Sequence, residues 1–176
     1  RKIGDNDFDH LRSVVRKLEP RKVDDEAPVN DSTAFILSAP RSGSTLLRAI
    51  LGGNPKLFAP PELQLMNYNS LSEQAQALGN ERDSFWLDGV VVAMMNLTGW
   101  SETKTREALT GWADEGMSVR AFYGKMLELA GERLFIDKTP NYALDPGMLT
   151  RMEEDFKDTK YIHLVRHPMA MIPSFE

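Results

Sequence analysis

Arg41-Ser42-Gly43-Ser44-Thr45 sets a guanidinium, three hydroxyls and a glycine in consecutive positions. Before them Ala34-Phe35-Ile36-Leu37 is a short apolar run, and after them Leu46, Leu47, Ile50 and Leu51 recur at helical spacing. The pattern predicts a buried strand, a tight turn and an amphipathic helix. The first amides of such a helix have no partner within it and lie at the positive end of its dipole, an arrangement that binds phosphate or sulfate. Gly43 lets the backbone approach a ligand, while Ser42, Ser44, Thr45 and Arg41 add donors and charge. The plainer alternative is a turn whose serines merely cap the helix. A Walker loop would place Lys after the second Gly; Ser44 stands there, and the charge precedes Gly43, which disfavours a nucleotide triphosphatase.

Three further positions carry chemistry. Glu62 follows the stiff pair Pro60-Pro61, where it could accept a proton from a substrate hydroxyl or serve as first-turn charge for a helix over Leu63 to Asn69. Lys138 follows the apolar run Leu134-Phe135-Ile136. At the carboxyl end of a strand it would face a ligand crevice, with Asp137 as its partner or as a Walker-B-like acid; a surface lysine in a turn is the alternative. Arg166 ends a third strand, Lys160 to Val165, and with Ser174 in the following helix could clamp a second phosphate. His163 alternates with strand residues expected in the core, so it reads as a hydrogen-bonded structural histidine. His167 before Pro168 reads as a turn residue and His10 as part of an outer helix face.

The elements that must position these groups are readable from periodicity. Residues 6 to 19 are expected to form an amphipathic helix and 21 to 32 a polar linker, leaving 34–176 as the main domain. Helices are predicted at about Ser70 to Leu78, Asp83 to Leu97, Glu102 to Trp112 and Ser118 to Ala130, forming a helical insertion over the site. Trp86, Trp100, Trp112, Phe122 and Tyr123 would line an acceptor pocket or pack the core. Asp145-Pro146 opens another helix running to Phe156.

With 176 residues, 41% of them hydrophobic and 27% charged, the chain can build one globular core. Its net charge of -5 argues against broad nucleic-acid binding, so an anion must be held by a local pocket. It has no cysteine, hence no disulfide frame, thiolate nucleophile or Cys-ligated metal. No apolar run is long enough to span a bilayer, and a cytoplasmic protein is the expectation. The chain opens without Met and closes inside a helical pattern, as a piece cut from something larger would.

Two separated motifs resemble one family. Ala39-Pro40-Arg41-Ser42-Gly43-Ser44-Thr45-Leu46-Leu47 is similar to the 5′-phosphosulfate loop, and Val165-Arg166-His167-Pro168 with Ser174-Phe175 to the 3′-phosphate site, of sulfotransferases that use 3′-phosphoadenosine 5′-phosphosulfate. The resemblance covers residues 34 to 60 and 133 to 176. It implies an α/β fold with a P-loop-like parallel sheet flanked by helices. It also implies that Arg41, Ser42, Gly43, Ser44 and Thr45 bind the phosphosulfate, that Arg166 and Ser174 bind the 3′-phosphate, and that no metal is needed. Many members carry Lys at the position of Arg41, and arginine is the poorer proton donor.

Some branches use a histidine base between the two motifs; none occurs here from Arg41 to Tyr161. Others place a glutamate after the loop helix, the position of Glu62, and a lysine near the sulfuryl group, the position of Lys138. Leu57-Phe58-Ala59-Pro60-Pro61-Glu62-Leu63 and Asn69-Ser70-Leu71 look most like the sulfotransferase domains of modular polyketide synthases. That likeness implies a β-hydroxyacyl chain on acyl carrier protein as the acceptor, neighbouring synthase domains as partners, and adenosine 3′,5′-bisphosphate as product. A further cofactor-contacting segment of the family would lie beyond Glu176. The rival readings are a P-loop nucleotide kinase and a nucleotide-binding module without turnover.

Overall fold

A computed structural model describes residues 26–80 and 84–172. The expected helix over 6 to 19 and the position of Ser174 lie outside the described residues. Four strands form one parallel sheet: β1 (Thr33–Ser38), β2 (Leu57–Phe58), β3 (Leu134–Asp137) and β4 (Lys160–Leu164). Their order is β2-β3-β1-β4. β1 pairs with β3 in the register Ala34 with Ile136, and with β4 in the register Ala34 with Lys160.

Central parallel strands are covered on both faces and therefore read as continuous apolar runs. β1 alternates between two cores accordingly. Phe35 packs into the larger one with Phe58, Phe135, Tyr123 and Met152, while Ala34 and Ile36 pack with Ile136 beneath Leu47 and Leu51 of α1 (Ser44–Gly52). β4 is the edge of this sheet, and most of it is exposed. His163 is exposed with it, so the expected structural histidine is corrected: among the described residues no element covers that part of β4.

The helical block between β2 and β3 consists of α2 (Leu71–Leu78), a short 3-10 turn (Ser84–Leu87), α3 (Asp88–Thr98), α4 (Glu102–Asp114) and α5 (Val119–Ala130). Ser70, Ser101 and Ser118 cap α2, α4 and α5 by accepting from Glu73, Lys104 and Ala121 amides. After β3 come a 3-10 turn (Pro140–Leu144), α6 (Pro146–Asp155), opened by the predicted Asp145 cap and Pro146, and finally α7 (Pro168–Met171) beyond β4.

Leu63 to Asn69 is not a helix. Leu63, Leu65 and Met66 are fully buried, and besides one internal bond from the Tyr68 amide to the Leu65 carbonyl the segment's backbone draws on groups outside it. The Met66 amide donates to Tyr142 Oη at 3.1 Å, Gln74 Nε2 donates to the Leu63 carbonyl at 2.8 Å, and Arg151 Nη1 donates to the Met66 and Tyr68 carbonyls at 2.9 and 3.0 Å. Those tertiary bonds replace the ladder a helix would have made. Glu62 is consequently not a first-turn helix charge.

Candidate active site

The carboxyl ends of β1 and β3 lie side by side, since the two strands pair in parallel. Chain connections leave β1 towards one sheet edge and reach β4 on the other side of it, and ligands of open α/β sheets bind at such a switch point. The loop after β1 crosses it. Arg41 and Gly43 both adopt left-handed backbone, at φ 63° and 92°. That conformation is routine for glycine and uncommon for arginine, and backbone strain of this kind gathers at ligand sites.

Gly43 is the N-cap of α1 and carries no side-chain capping bond, so the serine-capped turn is not what the chain builds. The leading amides of the helix have no capping side chain on them and remain available to an anion. A Cβ on Gly43 would meet nothing within 4 Å, which leaves open volume directly above the cradle. Ser42 Oγ lies 3.7 Å from Met171 Sδ, a contact that ties the loop to α7. Arg166 Nη1 donates to the Arg41 carbonyl at 2.9 Å, so the second motif braces the first.

Glu62 and Lys138 meet across 76 residues of sequence. The Lys138 ammonium donates to Glu62 Oε1 and to Thr45 Oγ1, the latter at 3.3 Å. Lys138 is 2% exposed and lies beneath the cavity wall, reaching it through these two partners. Glu62 Oε2 holds no hydrogen bond among the described residues. The backbone of Glu62 is itself wedged: a Cβ on Gly89, at the start of α3, would fall 1.9 Å from the Glu62 carbonyl oxygen. Arg48 of α1 donates to the Ala59 carbonyl at 2.8 Å and holds the preceding turn.

Asp137 is not the partner of Lys138. Its buried carboxylate accepts from Tyr123 Oη, and from Thr139 Oγ1 at 3.1 Å. Burial pushes its carboxyl up to about 6; the hydroxyls of Tyr123, Thr139 and Tyr142 oppose the rise and the nearby charge of Glu62 adds to it. Burial likewise drives the Tyr123 phenol well above its ordinary range, with the Asp137 charge assisting.

Arg41, Gly43, Ser44, Thr45, Glu62 and Arg166 line one cavity of about 890 Å³. Of the five aromatics read as either pocket lining or core, Trp86 lines this cavity; Trp112 packs on Trp100 and Phe122, while Phe122 and Tyr123 are fully buried in the core. Leu46, Ala49, Pro140 and Leu144 add apolar wall, and Gln64 and Asn141 add amides. Periodicity alone did not single out Gln64, Gly89 or Asn141; only Asn141, beside Lys138 in a strand-ending polar run, carried any local signal.

Residues 34–175 match the sequence profile of the sulfotransferase family. The chain belongs to that family. Two solved sulfotransferase domains share the fold of this sulfotransferase chain. One, from the Synechococcus PCC 7002 olefin synthase, is 38% identical with a TM-score of 0.81, over 89% of this chain and 56% of that one. The other, from the curacin biosynthetic pathway, is 37% identical with a TM-score of 0.78, over 84% of this chain and 51% of that one. The nodulation protein NoeE of Sinorhizobium fredii is 31% identical over 142 residues, which are 81% of this chain and 30% of NoeE. The sulfotransferase chain therefore spans about half the length of the solved domains it matches. The resemblance read from its two motifs is borne out.

Proposed function

We propose that this chain is the catalytic part of an enzyme moving the sulfuryl group of 3′-phosphoadenosine 5′-phosphosulfate to a hydroxyl. The acceptor we infer is a β-hydroxyacyl chain carried on acyl carrier protein, with neighbouring synthase domains as partners and a cytoplasmic setting. In this reading the expected division at 33/34 moves towards the N-terminus, since Thr33 belongs to β1 and Asn30 bridges Phe156 within the transferase domain. The observation that carries it is the single cavity lined jointly by the phosphate loop, Arg166 and Glu62. The synthase context is supported by the two solved domains from an olefin synthase and the curacin pathway.

The residues present fit a ligand anionic at both ends. The uncapped start of α1, the open space over Gly43 and the hydroxyls of Ser44 and Thr45 suit a phosphosulfate. Arg166, whose guanidinium reaches the first loop at the Arg41 carbonyl, suits a second phosphate, while Ser174, expected beside it, lies outside the described residues. When bound, the donor supplies an activated sulfuryl group on a bridging oxygen. Arg41, the helix amides and the charge of Lys138 beneath Thr45 then stabilise the negative charge that develops there. Glu62 accepts the proton of the acceptor hydroxyl on Oε2, while Lys138 holds Oε1 and fixes the carboxylate's orientation. Proton removal by a positioned carboxylate contributes roughly 100- to 10,000-fold.

A transfer assay with radiolabelled donor and a panel of hydroxyl acceptors, run in EDTA, tests the reading. Label should move to carrier-bound β-hydroxyacyl chains with EDTA present. A magnesium requirement with phosphoryl rather than sulfuryl transfer would point to the kinase reading, and nucleotide binding without transfer would point to a non-catalytic module.

A further inference from the structure

Lys138 stands between two buried residues that face the other way. The backbone of β3 runs on extended through Thr139, at φ −130° and ψ 107°, so Asp137 and Thr139 share the core side while Lys138 turns to Glu62 on the opposite one. Both flanking residues are fully buried. Thr139 Oγ1 donates to Asp137 Oδ1 at 3.1 Å, and the same carboxylate accepts from Tyr123 Oη of α5. With its one proton committed there, the Thr139 hydroxyl turns its lone pairs to the Gln64 amide N–H, which reaches it at 3.4 Å.

Gln64 needs such a hold. It occupies left-handed backbone at φ 54°, a conformation that a residue with a Cβ keeps only where its surroundings impose it. Two of its constraints come from the loop after β3: the Thr139 hydroxyl on its backbone amide, and the Asn141 carboxamide, bonded to the Gln64 carboxamide at 2.8 Å. The segment carrying Glu62 is thus tied to the segment carrying Lys138 from both sides, by the ion pair at the cavity wall and by Thr139 behind it. We propose that Thr139 is a positioning residue for sulfuryl transfer. By pinning the left-handed turn two residues after Glu62 to the strand end that carries Lys138, it sets where the Glu62 carboxylate stands. The inference rests on the transfer reading above, in which Glu62 is the base, and adds a fully buried residue that touches neither donor nor acceptor.

Thr139→Val keeps the shape of the side chain and removes the hydroxyl, whereas Thr139→Ser keeps the hydroxyl. The experiment records thermal unfolding, calorimetric binding of adenosine 3′,5′-bisphosphate, and transfer from radiolabelled donor to a carrier-bound β-hydroxyacyl chain, for each variant of the full chain alone and combined with Glu62→Gln. We expect kcat to fall about 10- to 100-fold in Thr139→Val with nucleotide affinity within about threefold, and Thr139→Ser to stay within about threefold of wild type on both measures. In the Glu62→Gln background Thr139→Val should cost less than about threefold, because no carboxylate base is left to misplace. Asn141→Ala cuts the second tie to Gln64 and carries the same comparison if Thr139→Val does not fold. An unchanged kcat in the folded variant, or a loss that multiplies with that of Glu62→Gln, would overturn the positioning role and leave sulfuryl transfer standing. Wild-type chain that transfers no sulfuryl group, or Glu62→Gln at the wild-type rate, would overturn the reading on which this inference rests.

Discussion

Lys138, on the loop after β3, donates to Glu62, on the turn after β2, and the same ammonium reaches Thr45 in the first turn of α1. One buried cation thus joins the three segments that carry the anion cradle, the proposed base and the strand-end loop. Removing either member of a pair with one side buried leaves a charge without compensation. Lys138→Met should lower stability by about 2–4 kcal/mol in urea titration and reduce turnover far more than nucleotide affinity. A variant as stable as wild type would show that the ammonium is not held in this way.

Gly89 is a second lever on Glu62. A methyl group there collides with the Glu62 carbonyl, whereas one on Gly111 in α4 meets nothing within 4 Å. Gly89→Ala should cost about 1–3 kcal/mol and at least about tenfold in kcat by displacing the carboxylate. Gly111→Ala should be neutral or stabilising by about 0.5–1 kcal/mol, through helix propensity alone. Equal behaviour of the two variants in thermal melts and turnover would refute the wedge.

Arg151 tests the non-helical segment. Its guanidinium donates to the carbonyls of Met66 and Tyr68, and to Asn69 Oδ1 at 2.9 Å. Arg151→Met leaves buried carbonyls without donors, and a loss of about 2–4 kcal/mol is expected in denaturant unfolding. A loss under about 0.5 kcal/mol would mean that the segment holds itself.

Asp137 makes stability depend on pH with a definite sign. Its carboxyl rises from 3.8 unfolded to about 6 folded, so between those values the folded chain binds the proton more tightly. Its contribution is therefore fully present below about pH 4 and is lost as pH rises through about 6, a change of about 3 kcal/mol. Urea titrations at pH 4.5 and 7.5 should show Asp137→Asn gaining on wild type as pH increases. A difference between the two proteins that stays constant with pH would contradict the burial argument.

The sheet and the two loops at its carboxyl edge were legible because their signals are local. Apolar runs such as Phe35 and Ile36, the glycine at 43 and the turn residues around them are contiguous in sequence, and a buried parallel strand needs nothing more to be recognised. Pairings decided by tertiary packing were not legible. Sequence offered Asp137 as the neighbour of Lys138, but successive strand residues point to opposite faces, and Asp137 turns into the core towards Tyr123 while Lys138 turns to Glu62. The stretch Leu63 to Asn69 carries apolar residues that suit a helix, and groups distant in sequence, Gln74, Tyr142 and Arg151, supply hydrogen bonds to its irregular path. His163 was misjudged because an alternating strand looks the same at an edge as in the middle.

In the proposed reaction Glu62 removes the acceptor proton, while the loop and Arg166, on the same cavity, grip the nucleotide. The most direct measurement pairs single-turnover sulfuryl transfer with calorimetric binding of adenosine 3′,5′-bisphosphate in wild-type protein and Glu62→Gln. Transfer should fall by roughly 100- to 10,000-fold while nucleotide affinity stays within about threefold. Transfer at the wild-type rate with unchanged nucleotide affinity would contradict it.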